Sequence, residues 1–175
     1  MIDSHAHITA DGPYEDLEGI LSRAKNVGIE AIVNICTDKT TLERGVEAAK
    51  KYKYIYNTGA TTPHDAKSEG KLNFPVFEKA ARNGQLVAIG ETGLDYFYEH
   101  SAKEEQQKLL KRYFNLAKEC NLPVVIHCRD AFEDLFSIAK NDFPKGKALL
   151  HCFTGTLDEA MQAIEMGWLI SFSGI

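Results

Sequence analysis

Cysteine is scarce in this chain, four in 175 residues, and Cys36, Cys120, Cys128 and Cys152 form no Cys-x-x-Cys pair. Neither a disulfide framework nor a thiolate zinc module is expected, and free thiols in a reducing cytoplasm are the simplest state. Long apolar runs are also missing. None approaches the roughly 20 residues of a membrane span, so no membrane partner is expected. Asp3, His5 and His7 interrupt the N-terminus where a signal peptide would need an unbroken apolar stretch. Positive charge is not in excess: 20 lysines and arginines against 25 acidic residues leave a formal net charge of −5. That balance gives no basic footprint for nucleic acid, so a phosphate-bearing substrate would have to be met by local cations. No low-complexity linker interrupts the chain, and its length suits a single domain over 1–175 with a sizeable core. The remaining composition, 44% hydrophobic and 26% charged, is ordinary for a globular protein.

Short apolar strands alternate with helical patterns along the whole chain. Strands are expected at 1–8, 30–36, 54–60, 86–91, 123–128, 147–152 and 168–172. Helices are expected at 14–26, 40–52, 73–83, 102–120, 130–141 and 157–166. Gly84 is a good stop for the third helix, and Pro123 opens the fifth strand. Seven such strands separated by helices imply a parallel sheet with helices outside, an α/β fold of the TIM-type (β/α) barrel kind.

The polar residues at the strand ends then fall into line. His5 and His7 close the first strand, Glu91 the fourth, His127 the fifth and His151 the sixth. Side chains at i and i+2 of a strand share a face, so His5 and His7 aim two imidazoles at one point, as a divalent metal requires of its first ligands. In a (β/α) barrel the chemistry sits at the carboxyl ends of the strands, so all five side chains would meet in one mouth. Any one of these histidines is most simply a hydrogen-bonded core residue. Several at equivalent strand ends need a shared purpose, because burying polar groups together is costly. Three imidazoles and a carboxylate would suit one metal; four with a bridging carboxylate suit two. By alternation Cys128 and Cys152, each directly after a histidine, should face the helix layer.

Four blocks of sequence, IDSHAHI from Ile2, GETGLDYFY from Gly90 to Tyr98, LPVVIHCRDA from Leu122 to Ala131 and LLHCFTGT from Leu149 to Thr156, resemble the signature blocks of the TatD-type metal-dependent hydrolases. That family belongs to the amidohydrolase superfamily and includes deoxyribonucleases. The resemblance implies two divalent ions (Mg²⁺, Mn²⁺ or Zn²⁺), with His5 and His7 on one, His127 and His151 on the other, and Glu91 bridging them as the catalytic carboxylate. It also implies a DNA or other phosphoester substrate and 3′–5′ exonucleolytic action. Arg129, two residues beyond His127 on the same face, would fit a substrate phosphate; pairing with Asp130 or Glu133 is the alternative. Asp95 and Tyr96 either orient ligands or fix the loop. Gln106 matches a family position, but a solvated polar face is its simplest account.

Two departures from the family pattern stand out. The usual Gly-x-His-Pro-His run after the third strand reads ATTPH from Ala60 to His64, with Thr62 in the place of the first histidine. His64 is thus a substrate-contact residue or a loop residue capping Asp65 or a neighbouring carbonyl. Family members also carry an eighth strand with a Glu-Thr-Asp block whose Asp completes the first metal site. That strand is not in this sequence, and a C-terminally incomplete barrel with unpaired edges on strands one and seven is expected. The alternatives to a nuclease are a hydrolase of a small lactone, amide or phosphoester, and an inactive truncated remnant.

Overall fold

The computed structural model describes residues 1–98 and 100–174. Its strands are β1 (Ile2–Ala6), β2 (Ala31–Cys36), β3 (Ile55–Gly59), β4 (Ala88–Asp95), β5 (Val124–Arg129), β6 (Ala148–Leu150) and β7 (Leu169–Ile170). Its helices are α1 (Leu17–Asn26), α2 (Lys39–Lys51), α3 (Gly70–Arg82), α4 (Lys103–Cys120), α5 (Phe132–Asp142) and α6 (Leu157–Glu165), with a short 3-10 turn at Gly12–Asp16. All seven strands lie parallel in the order β1 to β7. Among the described residues, β1 pairs only with β2 and β7 only with β6.

Local chemistry sets the element ends. Asp38 caps α2 by accepting the Thr41 amide at 2.8 Å, while the Thr41 hydroxyl accepts the Asp38 amide at 3.1 Å. Thr156 and Glu159 make the same reciprocal box at the start of α6. Asn121, at φ 52°, ends α4 in the left-handed region and turns the chain toward β5. Strand alternation sorts the core: Val124, Ile126 and Cys128 of β5 pack with Leu110, Tyr113, Phe114 and Leu135 from the helix layer. The Cys128 thiol faces this layer as expected, and burial pushes its pKa up. Cys152 lies beyond the end of β6 with φ 48°, so alternation does not govern it.

The sheet is rolled. β1 and β6 are five strands apart in the sheet order, yet the His5 and His151 rings stack at 3.9 Å between centroids, 8° from parallel. A flat sheet with strands about 4.8 Å apart would separate them by roughly 24 Å. The curl of a TIM-type barrel therefore brings the strand ends together, each βα unit facing the helix layer outside and the mouth within.

The largest difference from the sequence expectation is β4, which runs four residues past Glu91 to Asp95. Gly90 lies inside the expected strand and Gly93 two residues beyond it. Gly93 (φ +153°) lets β4 lie against β5: a Cβ there would sit 1.8 Å from the His127 carbonyl oxygen. Glu91, Gly93 and Asp95 consequently share one face, beside His127. α3 also begins earlier than expected, at Gly70, and holds Pro75 inside it, which leaves one i→i−4 hydrogen bond unmade.

A candidate metal centre at the barrel mouth

Four imidazoles converge on the buried carboxylate of Glu91. Oε2 lies 3.2 Å from His5 Nε2 and 3.7 Å from His7 Nε2. Oε1 lies 3.1 Å from His127 Nδ1 and 2.8 Å from His151 Nε2. Each carboxylate oxygen thus faces one pair of rings. The rings come from β1 and the residue after it, from β5 and from the residue after β6, so the curl of the sheet, rather than any local segment, assembles the group.

Burial opposes the charged form of Glu91, but hydrogen bonds from His127, His151 and His5 outweigh it and hold the carboxyl well below its ordinary range. Burial also lowers the His7 pKa against the pull of Glu91, and His5 and His151 lower it further. For His127 burial is overcome by Glu91 and Asp95, which raise its pKa. The His5 Nδ1 atom is buried without a hydrogen-bond partner. Nitrogen and oxygen donors gathered without thiolate, around a carboxylate able to bridge, fit hard to borderline divalent ions.

A second carboxylate stands four residues along β4. Asp95, 1% exposed, accepts the Phe97 and Tyr98 amides on Oδ1, each at 3.0 Å. Its Oδ2 lies 2.9 Å from His127 Nε2 and 3.4 Å from His64 Nε2. Burial works against the Asp95 charge, yet the Tyr98 amide and His127 hold its pKa below the usual value. The two alternatives open for Asp95 are both met: it fixes the loop and orients a histidine. Proton accounting sets the direction. If Nδ1 of His127 presents a lone pair toward the Glu91 side, Nε2 carries the hydrogen and donates it to Asp95.

Gln106 corrects the sequence expectation. It is not on a solvated face but 1% exposed, accepting the Asp95 amide at 2.7 Å and donating to the Asp95 carbonyl at 2.9 Å and the Ser101 carbonyl at 2.8 Å. A buried amide with both ends satisfied leaves α4 clamped to the end of β4. The position of Gln106 at the start of an amphipathic helix carried no signal for this, because its partners are backbone atoms. The spacing of Glu91 and Asp95 did carry one, since i and i+4 of a strand share a face once Gly93 is read as part of it.

His64 points neither at Asp65 nor at a carbonyl; its ring faces Asp95, 5.6 Å from the His127 ring. Burial lowers its pKa against the opposing pull of Asp95. Thr62 caps Asp65 instead, through a 3.0 Å hydroxyl contact. Arg129 pairs with neither Asp130 nor Glu133 among the described residues. Its guanidinium lies 3.8 Å over the Phe97 ring and 4.9 Å over Tyr98, and donates to the Tyr98 hydroxyl at 3.2 Å. No helix among the described residues is long and apolar enough to cross a membrane.

Known proteins resemble this chain along nearly its whole length. Residues 2–175 match the family described as TatD related DNase. The chain is 35% identical over 175 residues to the metal-dependent hydrolase YabD of Bacillus subtilis, covering 99% of this chain and 69% of that protein. It is 32% identical over 176 residues to a 3′-5′ ssDNA/RNA exonuclease TatD of Erwinia tasmaniensis, covering 99% and 68%. The crystal structure of YjjV, a TatD homolog from Escherichia coli K12, superposes with a TM-score of 0.88 at 28% identity, over 97% of this chain and 66% of that one. The chain thus spans about two thirds of the length of these relatives. Rolled parallel sheet, histidines and carboxylates at its strand ends, and a family match from Ile2 onward lead to one assignment: this chain belongs to the TatD related DNase family of metal-dependent hydrolases.

Proposed function

We propose that this protein is a two-metal phosphodiesterase that trims single-stranded DNA from its 3′ end. The observation that carries the reading is the division of four imidazoles over the two oxygens of Glu91, His5 and His7 on one and His127 and His151 on the other. Each pair would hold one divalent ion (Mg²⁺, Mn²⁺ or Zn²⁺), and Glu91 would join the two. Ions bound there would polarise a phosphoryl oxygen and lower the pKa of a water nucleophile. Glu91 is the catalytic carboxylate of the pair, kept ionised by the surrounding imidazoles. Asp95 holds His127 with Nδ1 turned toward Glu91. Arg129 lies on the same face of β5 as His127 and offers a planar, rigidly stacked donor fork for a substrate phosphate. His64, its ring 5.6 Å from that of Tyr98, would be a further substrate contact. The name carried by the Erwinia relative supports both the strand preference and the direction of trimming.

The test is incubation with 5′-end-labelled single-stranded DNA and Mg²⁺ or Mn²⁺. A ladder shortening from the 3′ end is expected, abolished by chelator and by His127→Ala. A ladder of equal intensity from His127→Ala, or none from the wild-type protein, overturns the reading. The net charge of −5 favours a second possibility, a small phosphoester, lactone or amide as substrate. Turnover of such compounds with no trimming of DNA selects it.

A further inference from the structure

Beyond the metal centre, β4 delivers two large aromatics that remain half in water: Phe97 is 53% and Tyr98 51% exposed. Side chains of this size at a strand end normally bury their rings or fray with their loop. Here the backbone beneath them is pinned, since both amides donate to Asp95 Oδ1. Arg129 lies over both rings. The Tyr98 ring also stacks on His100, 6° from parallel with centroids 5.6 Å apart, so the two form one stacked aromatic surface at the rim. That surface borders an open cleft of about 570 Å³ lined by His64, Asp65, Ser68, Tyr98 and His100. Two imidazoles and a phenol thus line this solvent-open cleft.

The cleft is wired to the metal centre by three consecutive contacts. His64 lies 3.4 Å from Asp95, Asp95 2.9 Å from His127, and His127 3.1 Å from Glu91. A base stacked on the Tyr98–His100 pair would sit beside His64, the first residue of this chain of contacts to Glu91, with Arg129 over the Tyr98 ring. A flat π-surface beside an arginine is the general solution for holding single-stranded bases without reading their sequence. A duplex does not present a free base face, so a site of this kind selects an unpaired end.

We infer that Tyr98 and His100, flanked by Arg129, form the seat of one unpaired nucleobase of a single-stranded substrate. This assignment rests on the nuclease reading for the identity of the substrate. It does not depend on it for its measurement. Oligonucleotides carrying a 3′-terminal 2-aminopurine, titrated with chelator present so that no cleavage occurs, report stacking as fluorescence quenching. Wild-type protein and Tyr98→Phe are expected to quench alike, because both keep the ring. Tyr98→Ala is expected to bind about 5- to 150-fold more weakly, the range for loss of one base–aromatic stack. In trimming assays the same variant should raise KM more than it lowers kcat. A circular dichroism spectrum and melting curve equal to wild type show that Tyr98→Ala is folded, as expected for a half-exposed side chain. If the wild-type protein quenches and Tyr98→Ala does not, the base seat stands whether or not DNA is trimmed. If the wild-type protein does not quench, or Tyr98→Ala quenches equally, the seat is overturned, and a ladder from the wild-type protein would still leave the nuclease reading intact.

Discussion

Glu91 and Asp95 are two buried carboxylates on one face of one strand, and both touch the same histidine, yet they are held in different ways. Among the described residues, every charged or imidazole partner of the Glu91 carboxylate is a histidine, two to each oxygen. Asp95 gives one oxygen to two backbone amides and only the other to imidazoles. An imidazole can exchange its proton for a metal; a peptide N–H cannot. Glu91 is therefore free to become a bridging ligand, whereas Asp95 offers only Oδ2, with His64 and His127, to an ion. It fixes the loop that bears Phe97 and Tyr98 and sets which nitrogen of His127 faces Glu91.

That contrast can be broken first at Glu91. Glu91→Gln replaces one oxygen by an amide that carries protons into the imidazole cluster. Metal analysis of the purified variant should show loss of bound ions, and trimming should fall by more than the roughly 10- to 100-fold that removal of an outer partner costs. Full metal content with an unchanged rate would erase the distinction between the two carboxylates.

Asp95→Asn is expected to sit inside that range, about 10- to 100-fold down in metal affinity or rate. The amide oxygen can still accept from the Phe97 and Tyr98 amides. Its NH₂ then turns toward His127 Nε2 and favours the tautomer with hydrogen on Nδ1. Nitrogen chemical shifts of the His127 ring report this directly, and an unaltered tautomer would refute the orienting role.

Gly93, midway between the two, is where their shared face depends on backbone. Gly93→Ala should lower unfolding stability by at least about 1–3 kcal/mol, the cost of one strained backbone position, because its methyl meets the His127 carbonyl. Urea unfolding measures it, and a wild-type midpoint would show that β4 can shift at little cost.

The smallest effect is on pH dependence of the metal-free protein. Glu91 is depressed below 4.5, so its stabilisation is complete above pH 4.5 and is lost as pH falls through its folded pKa. His127 is raised above 6.5, so its stabilisation is complete below pH 6.5 and is lost as pH rises through its folded pKa. Both are fully present only between these values. The melting temperature of chelator-treated protein should therefore peak in that window, and Glu91→Gln should flatten the acid side. A melting temperature that climbs steadily past pH 7 would contradict the sign for His127.

Much of this was legible from residue order. His5, Glu91, His127 and His151 announced themselves because a strand repeats every two residues and a βα unit ends at a fixed place. Gln106 was misread because its partners are main-chain atoms eleven and five residues away, invisible to side-chain patterning. β4 was ended at Glu91, and only the β4–β5 pairing shows that Gly93 and Asp95 continue the strand, where the missing side chain of Gly93 lets β5 approach closely.

Sequence alone determined which residue types stand at the strand ends and that the strands run parallel, since both follow from short-range periodicity. Only the tertiary structure decided how those ends are shared. The curl of the sheet sets His5 against His151, splits four rings between two oxygens of Glu91, and places Asp95 behind His127. Such distances depend on sheet curvature and strand register, which are summed over the whole chain rather than encoded in any one segment of it.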